Sequence, residues 1–173
     1  MAEALRPACT IDEALAELSR PRPVLALMQN QWFRNPERVR DLMEGPHRRA
    51  YIHIYLFAGC LTGRRIEAAF GDLCDRRGGD GGLITFEEAS PQIGGHASSR
   101  FPADMAHLRR VVADVRPKLV LAFGRIAGDA LPLVWTGPSI IGPHPAARGG
   151  DVVPRLRAMA HKTRAFLAEV DHG

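Results

Sequence analysis

The chain lacks any window of roughly 18 uninterrupted apolar residues, so no segment of it reads as a membrane-spanning helix. Its first stretch, MAEALRPACTIDEALAEL, carries acids early and has no basic region leading into an apolar one; this sets aside a secretory leader and makes a cytoplasmic location the expectation. Cysteine is sparse. Cys9, Cys60 and Cys74 are odd in number, far apart and free of any CxxC pair, which argues against a disulfide framework or a zinc or iron–sulfur centre and leaves them as small core fillers. His47, His53, His96, His107, His161 and His172 do not fall at ligand spacing either, so neither metal nor cofactor is expected. Lysine is nearly missing: Lys118 and Lys162 stand alone among 23 basic residues, set against 19 acids for a formal charge of +4 and a pI near 9.4. Arginine suits bidentate phosphate contact, so the balance leans toward a polyanionic partner. Arginine-rich codons of a GC-rich genome would leave the same composition.

Internal repeats and low-complexity linkers are absent as well. With 173 residues and 46% hydrophobic content, the chain reads as one globular domain, 1–173, working as a monomer. Thr10 followed by Glu13 is a capping-box pattern that opens a helix over 10–19. VLALMQ (24–29) is a short, nearly all-apolar run, the mark of a strand covered on both faces in a parallel sheet. Asn35 and Pro36 start a helix through Glu44, closed by Gly45 and Pro46. YIHIYLFAG (51–59) is ambiguous between a strand and an irregular apolar segment. A helix over 62–77 keeps Ile66, Ala69, Phe70 and Leu73 on one face and ends at the glycine run 78–82. LITFEE (83–88) is the second strand. PADMAHLRRVVADV (102–115) is a helix with proline in its first turn and Leu108, Val111 and Val112 buried. KLVLAFG (118–124) is the third strand, RIAGDAL (125–131) a short helix, SIIGP (139–143) the fourth strand, and PRLRAMAHKTRAFLAEV (154–170) the closing helix. Strands alternating with helices imply an α/β domain: a three-layer α/β/α sandwich on a short, mainly parallel four-stranded sheet, with its core over 24–167.

Ligands of open parallel sheets bind outside the carboxyl ends of the strands. Those ends carry Gln29, Asn30, Gln31, Trp32 and Phe33; Glu87, Glu88 and the Gly94-Gly95-His96 loop; Gly124 and Arg125; and the stretch His144 to Gly150. Two amides, an aromatic pair, two carboxylates and a histidine are thus expected on one rim. The pairs Arg64-Arg65, Arg76-Arg77 and Arg109-Arg110 read mainly as solvated helix faces.

An early strand ending at Asn30, the segment SRFPADMAHLRRVVADVRPKLVLAFGRIAGDAL, and the element HPAAR, in this order and spacing from Val24 to Leu167, resemble the uracil-DNA glycosylase superfamily. The resemblance implies its fold and an activity: flipping a uracil or modified pyrimidine out of DNA and hydrolysing its N-glycosidic bond. It implies that Asn30 positions the attacking water and that His144 steadies negative charge on the departing base. Gln29 falls where one branch uses a glutamine backbone to hold the base. Arg148 falls where a branch selective for single strands and hydroxymethyluracil carries an arginine wedge. Arg100, Arg125, Ala146, Ala147 and Arg148 are the positions expected on DNA, single- or double-stranded.

The chemistry needs these residue types. Breaking an N-glycosidic bond leaves an oxocarbenium-like sugar and an anionic base, so a water must be held on one face and a hydrogen-bond donor offered where charge develops. The departures are as specific. Phe86, beside Glu87 and Glu88, stands where the superfamily has an asparagine that reads the uracil edge, and Ala146 stands where it has a serine. Either the alignment slips by a residue or two, or the pocket takes another base whose exocyclic donors pair with a carboxylate. Trp32, Phe33 or Phe57 would stack on the flipped base. Two further readings suit the same rim: a nucleic-acid-binding or nucleotide-binding module without catalysis, and a hydrolase or transferase acting on free nucleotides.

Overall fold

The computed structural model describes residues 10–71, 73–74 and 82–171, apart from the side chains of Glu17 and Asp171. Four five- or four-residue runs form the sheet: β1 (Val24–Met28), β2 (Ile84–Glu88), β3 (Leu119–Phe123) and β4 (Ser139–Gly142). All pairings are parallel, in the order β2-β1-β3-β4. Every residue of β1, β2 and β3 is buried, as expected of runs whose side chains are covered on both faces. The edge strand β4 instead alternates between exposed and half-buried.

Alternation sorts the strand side chains into two layers. On one face Val24, Ala26, Met28, Ile84, Phe86, Leu119, Leu121 and Phe123 pack against α3 (Arg48–Leu56), α4 (Leu61–Phe70) and α7 (Val152–Asp171). On the other, Leu25, Leu27, Val120 and Ala122 meet α5 (Met105–Val115) and α6 (Arg125–Ala130). The result is the three-layer α/β/α sandwich. α1 (Ile11–Leu18) lies outside this frame and packs Ala14 against Ala50 and Ile54 of α3. Its capping box is formed: Thr10 N–H donates to Glu13 Oε2 at 2.7 Å, and Glu13 N–H to Thr10 Oγ1 at 3.2 Å.

Several boundaries differ from the sequence reading. The ambiguous 51–59 stretch is the body of α3, a helix. Its apolar residues point two ways, Ile52 and Leu56 into the sheet and Ala50 and Ile54 onto α1, so burial on both sides imitates a strand pattern. The 35–44 helix is a 3-10 turn at Pro36–Arg38 followed by the short α2 (Arg40–Glu44). α4 stops at Phe70 with Gly71 as its cap, while Leu73 and Cys74 continue into the core; residues 75–81 lie outside the described residues, as does Cys9. α5 begins three residues after Pro102, because Asp104 caps it by accepting from the His107 N–H at 2.9 Å. Cys60 is not a core filler. Its sulfur caps α4, accepting from Gly63 N–H and donating to the Leu56 carbonyl, each at 3.3 Å. No helix among the described residues is long and apolar enough to cross a membrane.

Candidate active site

The strand order places the switch point of the sheet between β1 and β3. The chain leaves β1 toward β2 on one side, and β3 continues to β4 on the other, so the loops after β1 and β3 part and leave a crevice. Gln29 and Asn30 form one lip. The Gln29 Nε2 donates to Asn30 Oδ1 at 2.9 Å, and Asn30 Nδ2 donates to the Gln31 carbonyl at 3.1 Å. These bonds fix the carboxamide and leave one lone pair of Oδ1 and one N–H of Nδ2 for a ligand.

The other lip is Gly124, with His144 laid over it. Gly124 has φ +85°, a conformation that suits glycine, and a Cβ there would stand 3.0 Å from the His144 Cβ. Its N–H donates to the Gly142 carbonyl at 2.8 Å, tying the end of β3 to the end of β4. His144 then starts a tight turn. Its carbonyl accepts from Ala147 N–H at 2.9 Å, and its Nδ1 accepts from Ala146 N–H at 3.1 Å. An imidazole whose Nδ1 accepts carries its proton on Nε2 when neutral. Burial, helped by the positive charge of Arg100, pushes the His144 pKa down from 6.5 to about 4. The ring is therefore a neutral Nε2–H donor at physiological pH.

β2 presents its two carboxylates to opposite faces. Glu87 points to the α5 side and lies within ion-pair distance of Arg48 (3.1 Å), Arg49 (3.4 Å) and His107 (3.7 Å). Burial would raise its pKa, but the nearby His107 ring, whose Nε2 lies 3.1 Å from the Glu88 carbonyl, the Arg48 charge and the Glu88 N–H together bring it below 4.5. An open cleft of about 470 Å³ runs past this cluster, between α1, the start of α3 and α5. Glu88 lies on the Phe86 side. It is buried, its Oε2 has no partner among the described residues, and desolvation together with the neighbouring Glu87 charge raises its pKa to about 8. Arg48 and the Gln31 carboxamide pull it back only in part.

The aromatic residues separate. Trp32 is 50% exposed, although its backbone is held by a parallel bridge to Gly94. Phe33 packs edge-on against Tyr55 at 5.0 Å. Phe57, at the end of α3, meets His53 at 5.0 Å and Phe86 at 5.6 Å, both edge-on. Phe86 is buried at 2% exposure, a wall of the core beside Phe57. The strand order thus sets Gln29 and Asn30 at the end of β1, beside the β3 end where Gly124 and His144 meet, and Phe57, Phe86 and Glu88 lie on a common face of the sheet. Glu87 is on the other face, and Trp32 is on the outer surface.

Of the positions expected on DNA, Arg100, Arg125, Ala146 and Arg148 are exposed and Ala147 packs partly onto the core. Arg125 lines a second cleft of about 310 Å³ with Gly142, Pro143 and Arg155, beside the His144 turn. The Arg100 Nη1 donates to the carbonyls of Ala97 and Ser99, both at 2.9 Å. Gly149, at φ +135°, bends the chain just past Arg148. Gly124 was expected on the rim as a strand-end glycine, but its close approach to His144 was not. Arg65, read as part of a solvated helix face, instead reaches the Pro145 and Ala147 carbonyls, and Arg48 was not singled out; their partners lie 80 and 39 residues away. No cluster of three or more His, Cys, Asp or Glu suited to a metal ion occurs among the described residues. No family model, curated protein or solved structure matches this chain.

Proposed function

We propose that this chain is a DNA glycosylase of the uracil-DNA glycosylase kind, taking a uracil or modified pyrimidine out of DNA and hydrolysing its N-glycosidic bond, as a monomer in the cytoplasm. The observation that carries the reading is the state of His144: a neutral imidazole, Nδ1 occupied by the Ala146 N–H, with an Nε2–H donor left to give. A departing base needs such a donor for the charge on its oxygen, and a preorganised dipole in a dry site serves without costly rearrangement. Asn30, at the neighbouring strand end, keeps a lone pair for a water on the sugar face. The C1′–N bond breaks with its electron pair going to the base, and the water oxygen bonds to C1′. The proton lost from that water goes to solvent or to the base. Arg148, exposed on the turn after His144, would fill the gap left by the flipped nucleotide.

One observation favours a second reading, a nucleic-acid-binding module without turnover. Phe86, buried edge-on against Phe57, leaves an apolar wall where the superfamily reads the base edge. The two readings part in one assay: single- and double-stranded oligonucleotides bearing uracil, hydroxymethyluracil, hypoxanthine, thymine or bulkier pyrimidines, followed by alkaline cleavage. Removing one donor to developing negative charge costs about 10²–10³ in turnover, and His144→Ala is expected to lose that much while still binding DNA. Absence of cleavage on every substrate, with DNA binding intact, would leave the binding module.

A further inference from the structure

The turn that carries His144 is held from outside by an arginine on another helix. Arg65 of α4 donates from Nη1 to the carbonyl of Pro145 at 2.6 Å and to that of Ala147 at 2.9 Å. The first of these carbonyls belongs to the same peptide unit as the Ala146 N–H. A trans peptide is planar, with its oxygen and its hydrogen on opposite edges, and no cis bond occurs among the described residues. One edge of this plane is thus fixed by Arg65 and the other by His144 Nδ1, at 3.1 Å. The turn closes with the bond from Ala147 N–H to the His144 carbonyl at 2.9 Å.

We infer that Arg65 is a positioning residue for His144, acting through the Pro145–Ala146 peptide: it holds that plane so that the Ala146 N–H stays on Nδ1 and the imidazole keeps its proton on Nε2. A cation on the carbonyl oxygen also draws density out of the amide, so the N–H at the far edge becomes a stronger donor; hydrogen bonds in a chain strengthen one another this way. An N–H aimed at Nδ1 leaves no room for a proton there. Arginine suits the task better than lysine, since one planar nitrogen spans two carbonyls in fixed directions. The state of the ring follows from this geometry alone, whereas its effect on turnover rests on the glycosylase reading.

The test is nitrogen-15 spectroscopy of the full chain with labelled histidine, His144→Ala serving to assign the resonance. The wild-type ring is expected as a pure Nε2–H tautomer that stays neutral down to about pH 4. In Arg65→Met the ring is expected as a mixture of tautomers, protonating nearer its ordinary pKa, with Arg65→Lys restoring part of the wild-type signature. With a cleavable substrate, kcat in Arg65→Met is expected to fall by roughly 10-fold or more at little changed KM, the order seen when an outer hydrogen-bond partner of a working histidine is removed from a metal site. A folded Arg65→Met protein whose His144 is still purely Nε2–H, with an unchanged titration, would overturn the inference. Should that variant fail to fold, Arg65→Gln is read the same way. A tautomer shift in a chain that cleaves no oligonucleotide would uphold the relay and count against the glycosylase. Lost turnover with the ring unchanged would do the reverse.

Discussion

Glu87 and Glu88 are neighbours in one strand, almost equally buried, and they are held in opposite ways. Glu87 faces two arginines and a histidine and stays ionised; Glu88, one step along and on the other face, is buried with the Gln31 carboxamide to meet it, and keeps its proton. The contrast extends to the whole rim. The outer β2 edge is organised by full charges that cancel one another, whereas the crevice between β1 and β3 is organised by neutral dipoles, namely the Asn30 carboxamide, the His144 imidazole and fixed peptide planes. A burial cost that ion pairs offset on one side is avoided on the other by leaving groups uncharged. Such a site suits chemistry in which charge appears only during the reaction.

The largest effect is expected from breaking the charged side. Glu87→Ala takes the buried carboxylate from Arg48, which keeps only its bonds to the Met43 and Pro91 carbonyls, and from Arg49, which keeps Asp114; removing one partner of a buried ion pair costs about 3–5 kcal/mol. Denaturant unfolding should register that loss, whereas the His144 resonance should hardly move. A loss below about 1 kcal/mol would show that the cluster behaves as a surface pair and would remove the contrast.

Next comes the pH dependence of the neutral side. The folded pKa of Glu88, near 8, lies above its ordinary 4.5, so its contribution is complete below 4.5 and is lost as pH rises toward 8. His144 runs the other way. Its folded pKa, near 4, lies below 6.5, so its contribution is present above 6.5 and is lost as pH falls toward 4. Glu87, the carboxylate beside Glu88, stays ionised through the range between. Stability should thus fall between pH 6.5 and 8 through Glu88, by on the order of a few kcal/mol, and Glu88→Gln should flatten that slope. A slope unchanged in Glu88→Gln would mean that Glu88 is ionised like its neighbour.

Gly124→Ala tests the geometry of the neutral side at smaller cost. It forces a side chain into φ +85° and brings its Cβ to 3.0 Å from the His144 Cβ. Strain of this type is worth about 1–3 kcal/mol. Thermal unfolding measures that loss, and the His144 resonance should shift with it, which it should not do in Glu87→Ala.

How much of this could be read from the chain alone follows the same physics. β1, β2 and β3 were legible because five-residue runs buried on both faces have little alternative. α3 was not, since α1 covers its outer side and gives a helix the apolar pattern of a strand. Asn30 and His144 were legible as types at strand ends. The roles of Gly124 and Arg65 were not, because each is defined by a contact: one across 20 residues to the His144 ring, the other across 80 to a carbonyl. The separation of Glu87 from Glu88 was implicit in strand alternation, but which face held the arginines depended on where α3 begins.

The smallest effect is expected from Arg100→Gln, and it bears most directly on the contrast. Burial is the larger cause of the low His144 pKa and the Arg100 charge the lesser. Arg100 is itself exposed, so water and salt screen its field. Removing the charge should therefore raise the His144 pKa by less than about one unit, leaving the ring neutral at pH 7 and its Nε2–H tautomer intact. Raising the salt concentration on the wild-type protein should produce a shift of the same sign and smaller size. If instead Arg100→Gln returned His144 to its ordinary range, the crevice would be governed by a charge in the way Glu87 is, and the two sides of the rim would obey one rule. A small shift would mean that the donor state of His144 is built from burial and one peptide plane, and does not depend on the charge of Arg100.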